Sequence, residues 1–289
     1  MKIKNTEDVA LAAVTALLLE VSATPKSGNV DRDHQYLDMK YEHFIISSVS
    51  AYPVFKKAAV KGRNIGKLIF EAAERSNKFK FGGNTHFGSF LLLIPLVASW
   101  KCENANAIAT RATKLIKNSS YKDSIFLLKA FEILNPRVLD AQIMDIKSKD
   151  IKKEIVNKKI NLYKWMSLAP KYNLIAKELI SEFRISLEGM NLILDFFNEK
   201  EDINEAIVLT YHTLLSKYLD PLVISKFGFE SAEKIRKQAE EALIKYEIGN
   251  LNSLRDLDLM MIEKNINPGT IADLTTSSIF LALMEGLKF

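Results

Sequence analysis

The stretch SAEKIRKQAEEALIKY, Ser231–Tyr246, decides the fold. Ala232, Ile235, Ala239, Leu243 and Tyr246 recur at spacings of three and four, so they share one helix face. Glu233, Lys237, Glu240 and Lys245 fall on the opposite face. The same period runs outward from this segment. It returns in 203–215, 124–134 and 65–73, in Phe44, Ile45, Val49 and Tyr52 within 41–60, and in Val9, Leu11, Val14, Leu18 and Val21. A last helix is predicted over 271–287. No run of five or more residues keeps the two-residue period of a strand. The 289 residues contain only 11 glycines and 7 prolines, fewer than a turn-rich sandwich or an α/β protein with many short loops needs. The expected fold class is therefore all-α, a single compact multi-helix domain over 1–289, without repeats or a Gly/Ser linker.

Composition removes several function classes. Apolar residues at 48% and charged residues at 26% describe a chain that buries a core, not a disordered one. The uncharged run from Phe87 to Trp100 is too short to span a bilayer, which takes about 20 residues, and it contains Pro95; it reads as a buried core helix. The apolar N-terminal run has Glu7 and Asp8 where a secretory signal carries positive charge, so a cytoplasmic protein is expected. The lone Cys102 rules out a disulfide framework or a multi-cysteine zinc site, and reads as an inert thiol. The net charge is +5, and the densest basic run, Lys147–Lys159, is broken by Asp150 and Glu154 and lacks interleaved aromatics. That is the pattern of a solvated helix face, so neither nucleic acid nor a membrane is an expected partner.

Four segments break the helical pattern: PKSGNVDRDHQYLDM (25–39), FGGNTHFG (81–88), LDPLVISKFG (219–228) and NPGTIADL (267–274). Each mixes glycine with carboxylate, amide, imidazole or cationic groups, the mixture a phosphate or metal–phosphate site requires. Each also has a plainer reading. Thr270 and Asp273 stand in the spacing of a helix N-terminal capping pair, and such an end also presents a positive dipole to an anion. Were the first segment helical, Asp31, His34 and Asp38 would share a face as metal ligands do; as a solvated turn their charges would be incidental. Gly82 and Gly83 read as a helix stop, Asn84 and Thr85 as the next start, and His86 as either a buried or a functional histidine. His43 and His212 sit within helical patterns and read as structural. P-loop, dinucleotide-binding, HExxH and GxSxG signatures are absent.

The order of these segments resembles the triphosphoribosyl-dephospho-CoA synthase family. EVSATPKSGNVDR (Glu20–Arg32), followed by HQYLDM, is similar to the family's opening motif, and Phe44, Ser47 and Ser48 continue it. Gly82, Gly83, Asn84, Thr85, His86 and Gly88 match its GxNTHxG element. Pro268, Gly269, Ala272, Asp273 and Leu274 match its C-terminal element. The likeness runs from about residue 9 to 286 and is loose between 100 and 210. Two departures suggest a divergent branch of a kind common in archaea. Phe87 replaces the lysine after the NTH triplet, and the family's Asp-Thr-Asn…His-Arg-Gly-Gly segment is reduced to Asp220, Lys226 and Gly228.

The resemblance implies that ATP gives up adenine while its triphosphoribosyl unit passes to a hydroxyl of dephospho-CoA or a similar acceptor, in cofactor biosynthesis. It implies an oxocarbenium-like transition state and Mg²⁺ on the triphosphate. Lys26, Arg32 and Lys226 would then be phosphate cations. Asp31, Asp38 and Asp273 would stabilise charge, with Asp38, Asp273 and Glu74 (or its neighbour Glu71) as metal carboxylates. His34 or His86 would serve as base, with Glu20 supporting the first segment. Gly28, Gly83, Asn84, Thr85, Gly269 and Thr270 would contact ribose or phosphate. A different acceptor, or a non-catalytic nucleotide-binding role, stays open, and a homodimer is compatible with the composition.

Overall fold

The computed structural model describes residues 3–78, 84–137, 139, 148 and 150–289. Among these the regular elements are all helices: α1 (Thr6–Ser22), α2 (Tyr41–Lys61), α3 (Ile65–Asn77), α4 (Phe87–Ala98), α5 (Ala105–Lys117), α6 (Tyr121–Leu134), α7 (Ile151–Asn157), α8 (Leu162–Ser167), α9 (Leu174–Ile180), α10 (Arg184–Lys200), α11 (Ile203–Lys217), α12 (Pro221–Glu247), α13 (Ser253–Glu263) and α14 (Gly269–Met284). Every helix read from the apolar period is present. The helices it did not single out are α5, α10, α13 and three of at most seven residues, α7 to α9, too short to display a period. α7 lies within the basic run and turns Ile151 and Ile155 inward; Lys147 and Lys149 lie outside the described residues.

α14 is the axis of the molecule. From Ile271 to Leu283 every residue but Asp273 is buried, and the helix packs against α1, α4, α5, α9, α10, α11 and α12. A helix surrounded on all sides needs no polar face, which is why its sequence shows no amphipathic stripe. Its four consecutive hydroxyl residues satisfy themselves locally. Thr275, Thr276, Ser277 and Ser278 donate to carbonyls one turn back, at 2.8–3.1 Å. α4 is likewise buried along its length, and Pro95 is accommodated inside it. No helix among the described residues is long and apolar enough to cross a membrane.

Two of the four irregular segments prove more helical than their composition suggests. LDPLVISKFG is mostly the first two turns of α12. Asp220 is the N-cap and Pro221 the first helical residue, the asymmetry proline prefers. Only Gly228, at φ +83° and ψ 170°, leaves helical geometry, and it kinks α12 where a side chain would be strained. In NPGTIADL, α14 already begins at Gly269, so Asp273 lies beyond the cap rather than in it. The cap comes from Asp220, which accepts from the Leu222 and Val223 amides at 2.7 and 3.2 Å and from the Ile271 amide at 2.9 Å. One carboxylate thus closes the starts of α12 and α14.

Asp220→Ala should therefore cost more than one ordinary cap, about 2–4 kcal/mol, since each lost cap is worth about 1 kcal/mol and the buried amides lose their acceptor. Asp220→Asn, which still accepts, should lose less. Urea unfolding of both variants measures the difference.

Candidate active site

The first segment folds as an irregular loop, so Asp31, His34 and Asp38 do not share a helical face. Lys26 is fully buried; its Nζ pairs with Glu20 and donates to the Val30 carbonyl at 3.1 Å. Burial pushes the Glu20 carboxyl up, with Lys26 opposing. The loop is pinned from several sides. Ser27 Oγ lies 2.7 Å from His212 Nε2, the Tyr211 hydroxyl donates to the Ser27 carbonyl at 2.9 Å, and the Gly28 amide donates to Asp258 at 2.9 Å. Asn29 Nδ2 donates to Asn267 Oδ1 at 3.2 Å, which ties the loop to the residues just before α14. Asp31 accepts the amides of Lys26, Asp33 and His34. His212 is structural, as its pattern suggests: burial lowers it to about 4, and its Nδ1 lies 2.8 Å from the Val208 carbonyl.

A cleft of about 150 Å³ opens where the starts of α4, α12 and α14 meet. Asn84 and Gly88 come from the NTH segment, Pro221 and Leu222 from α12, and Thr270 and Asp273 from α14. α6, α8 and α9 close the other side with apolar and aromatic residues, and Arg137, just past α6, adds a cation. Asn84 Oδ1 accepts the Phe87 amide at 3.2 Å, so the segment does start a helix. Gly88 is required by close approach, because a Cβ there would overlap the Asp273 carboxylate. Ser89 Oγ donates to Asp273 Oδ1 at 2.5 Å. Asp273 is only half-buried by its surface, yet the surrounding walls strip its hydration. That loss pushes its carboxyl up to about 8; Glu20 and Asp220 add to the rise, and the Ser89 bonds oppose it.

Of the expected site residues, Asn84, Thr270 and Asp273 share this cleft. Several others are placed elsewhere. Lys26 is buried against Glu20 and does not line the cleft. Arg32 and Lys226 are exposed and do not line the cleft; Lys226 donates to the Asn265 carbonyl at 2.8 Å. His86 is buried with its ring edge-on to Phe44 at 4.9 Å, and His34 Nδ1 lies 2.6 Å from Asp258 Oδ2, so neither histidine lines the cleft. Thr85 is half-buried beside the cleft residues, Gly28 faces Asp258, and Gly83 lies outside the described residues. At the start of α14, where Gly269 and Thr270 would cradle phosphate, the Thr270 and Ile271 amides are already directed at Asp220. Arg137 and Asp258 were not legible: one follows a helix stop as a lone arginine, the other looks like the polar face of α13.

The expected magnesium carboxylates do not converge. Asp38 and Glu74 are exposed, and neither joins Asp273 in the cleft; Glu71 pairs with Lys57 at 2.7 Å. Among the described residues the ligand-type side chains that gather are Asp31, His34 and Asp258, with one atom from each inside 4.8 Å. Asp31 and Asp258 accept backbone amides, His34 Nδ1 and Asp258 Oδ2 face each other, and a set that includes imidazole suits transition metals better than Mg²⁺. These residues do not fit a resident magnesium ion.

A helical chain that gathers its polar motifs at helix starts, around one carboxyl and an aromatic wall, has neither a P-loop nor a dinucleotide-binding architecture among its described residues, since both need a parallel sheet. Residues 6–288 match the CitG family, ATP:dephospho-CoA triphosphoribosyl transferase, and the chain belongs to that family. The protein CitXG of Leuconostoc mesenteroides subsp. cremoris is 26% identical over 296 residues, covering 95% of this chain but 58% of its own length. The chain thus spans little more than half of that relative. A crystal structure of a candidate triphosphoribosyl-dephospho-CoA synthase from Archaeoglobus fulgidus is similar at a TM-score of 0.73 and 42% identity, covering 86% of this chain and 100% of that one.

The raised Asp273 carboxyl makes a stability prediction with a definite sign. The folded chain keeps its proton up to about pH 8, while the unfolded chain releases it from about 3.8, so its contribution to stability falls as pH rises between those values. Asp273→Asn, neutral throughout, should match the wild type near pH 4 and melt at a higher temperature near pH 8. Melting curves that stay parallel across this range would show the carboxyl ionising normally in the fold.

Proposed function

We propose that the chain transfers the triphosphoribosyl group of ATP to dephospho-CoA, releasing adenine. The observation that carries this reading is the shared cleft, in which Asn84 and Gly88 of one family motif face Thr270 and Asp273 of another. Breaking the bond at C1′ develops positive charge on the sugar, and departure of the base requires a proton. A low-dielectric cleft with one carboxyl at its wall suits both demands. Arg137 is the cation among the described residues that line the cleft and takes the phosphate role expected of Lys26. Asn84 adds an amide able to bond ribose or phosphate oxygens. Magnesium enters as the counter-ion of ATP, and the reaction runs in the cytoplasm, where ATP is made.

A second reading keeps the donor and changes the acceptor. It is favoured by Phe87, which replaces the family's lysine with a ring packed edge-on against Phe131 at 4.8 Å. An apolar contact stands where a cation would meet charge, so another hydroxyl acceptor fits that side of the cleft.

Incubation with Mg-ATP and dephospho-CoA should release free adenine and add the mass of a triphosphoribosyl unit to the acceptor. Release of adenine with a different hydroxyl compound, and none with dephospho-CoA, would select the second reading. No release with any acceptor would sink both. Arg137→Ala should raise the KM for ATP by about tenfold or more, since a hydrogen bond to a charged group is worth about 1.5–3 kcal/mol.

A further inference from the structure

Apart from its few polar groups, the cleft lined by Asp273 is apolar. Phe87 and Phe131 meet edge-on at 4.8 Å, and Phe131 lies 6.4 Å from Trp165, with Leu91 and Leu127 on the same lining. We propose that this aromatic wall holds the adenine of ATP and that Asp273 delivers the proton with which the base leaves C1′. The proposal rests on the transferase reading above.

The wall selects its occupant by what each part of a substrate loses on leaving water. A triphosphate gives up far more hydration than aromatic edges return, and a pantetheine arm would bury amides against partners that neither donate nor accept. A purine is flat, apolar on both faces and stacks on aromatic rings, so it exchanges water for this wall with gain. Dephospho-CoA also carries an adenine, but only the base of ATP has to leave. Asp273 shares the cleft with the aromatic residues; Ser89 Oγ donates to its Oδ1, and Oδ2 is the oxygen assigned the proton. Gly88, with no Cβ, lies directly against that second oxygen.

The step balances. The C1′–N bond breaks with its electron pair going to the base, and the Asp273 proton moves to a ring nitrogen, giving neutral adenine. The C1′–O bond forms to the acceptor hydroxyl, whose proton passes to bulk water, and water returns a proton to Asp273. Removal of a general acid costs about 10²–10⁴ in rate.

The test uses ATP methylated at N7 of the purine, which is already cationic and departs without a proton. Asp273→Asn should slow adenine release from ATP by about 10²–10⁴-fold and 7-methyladenine release by less than about tenfold, the second result also showing that the variant is folded. Equal losses on both donors, or no loss on ATP, would overturn the role of Asp273. Adenosine should quench the fluorescence of Trp165 in the wild type, with that quenching absent in Trp165→Phe, while pantetheine should leave it unchanged. Quenching by pantetheine and not by adenosine would assign the wall to the acceptor and overturn the base site. If the wild type releases no adenine with any acceptor, yet adenosine quenches Trp165, the transferase reading and the proton role fall while the base site stands.

Discussion

The carboxylate of Asp220 answers the free amides at the starts of both α12 and α14, and this shared cap sets how the two helices begin relative to each other. Everything the cleft receives from the C-terminal half follows from it, because Pro221, Leu222, Thr270 and Asp273 all lie within one turn of those starts. The same bonds take up helix-start amides that a ligand would otherwise meet. Two helix N-termini side by side are a ready anion site, but here the anion is built into the chain. Burial still pushes Asp220 up to about 6 despite the amides around it, and its charge adds to the rise of the neighbouring Asp273 carboxyl.

The first segment serves the cleft from behind. It is held by α11, α13 and the residues before α14, through the Ser27 side chain and His212, the Gly28 amide and Asp258, and the Asn29 side chain and Asn267. The segment that gives the strongest family likeness therefore acts as a brace for the α13–α14 junction. That junction delivers Thr270 and Asp273. A motif rich in charge, glycine and proline has the composition of a ligand loop and of a buried brace alike, since both need backbone that turns sharply and polar groups that find partners.

This ambiguity explains how much was legible in the sequence. Ser231–Tyr246 and its counterparts disclosed the helices because half-buried helices print their burial as a period. α14 was legible as a helix but not as the axis, because a helix buried on all sides has no stripe to read. That Asn84, Thr270 and Asp273 come together in one cleft was foreshadowed by glycine and amide at helix starts, which hint at a close approach. Lys26 reads in the sequence as a phosphate cation because its partner Glu20 belongs to the preceding helix, and only the fold shows that the two meet. Arg137 escaped because a single arginine after a helix stop carries no pattern at all.

The pairing of Lys26 with Glu20 also bears on how this chain can change over generations. Losing one partner strands the other charge in the interior, at about 3–5 kcal/mol, a large share of the 5–15 kcal/mol that holds an ordinary domain together. Replacing both with apolar residues of similar size carries no such penalty. A lineage therefore leaves this arrangement only by exchanging the two together or by first accumulating stability elsewhere. On this energetic ground Lys26 and Glu20 are expected to change together rather than one at a time.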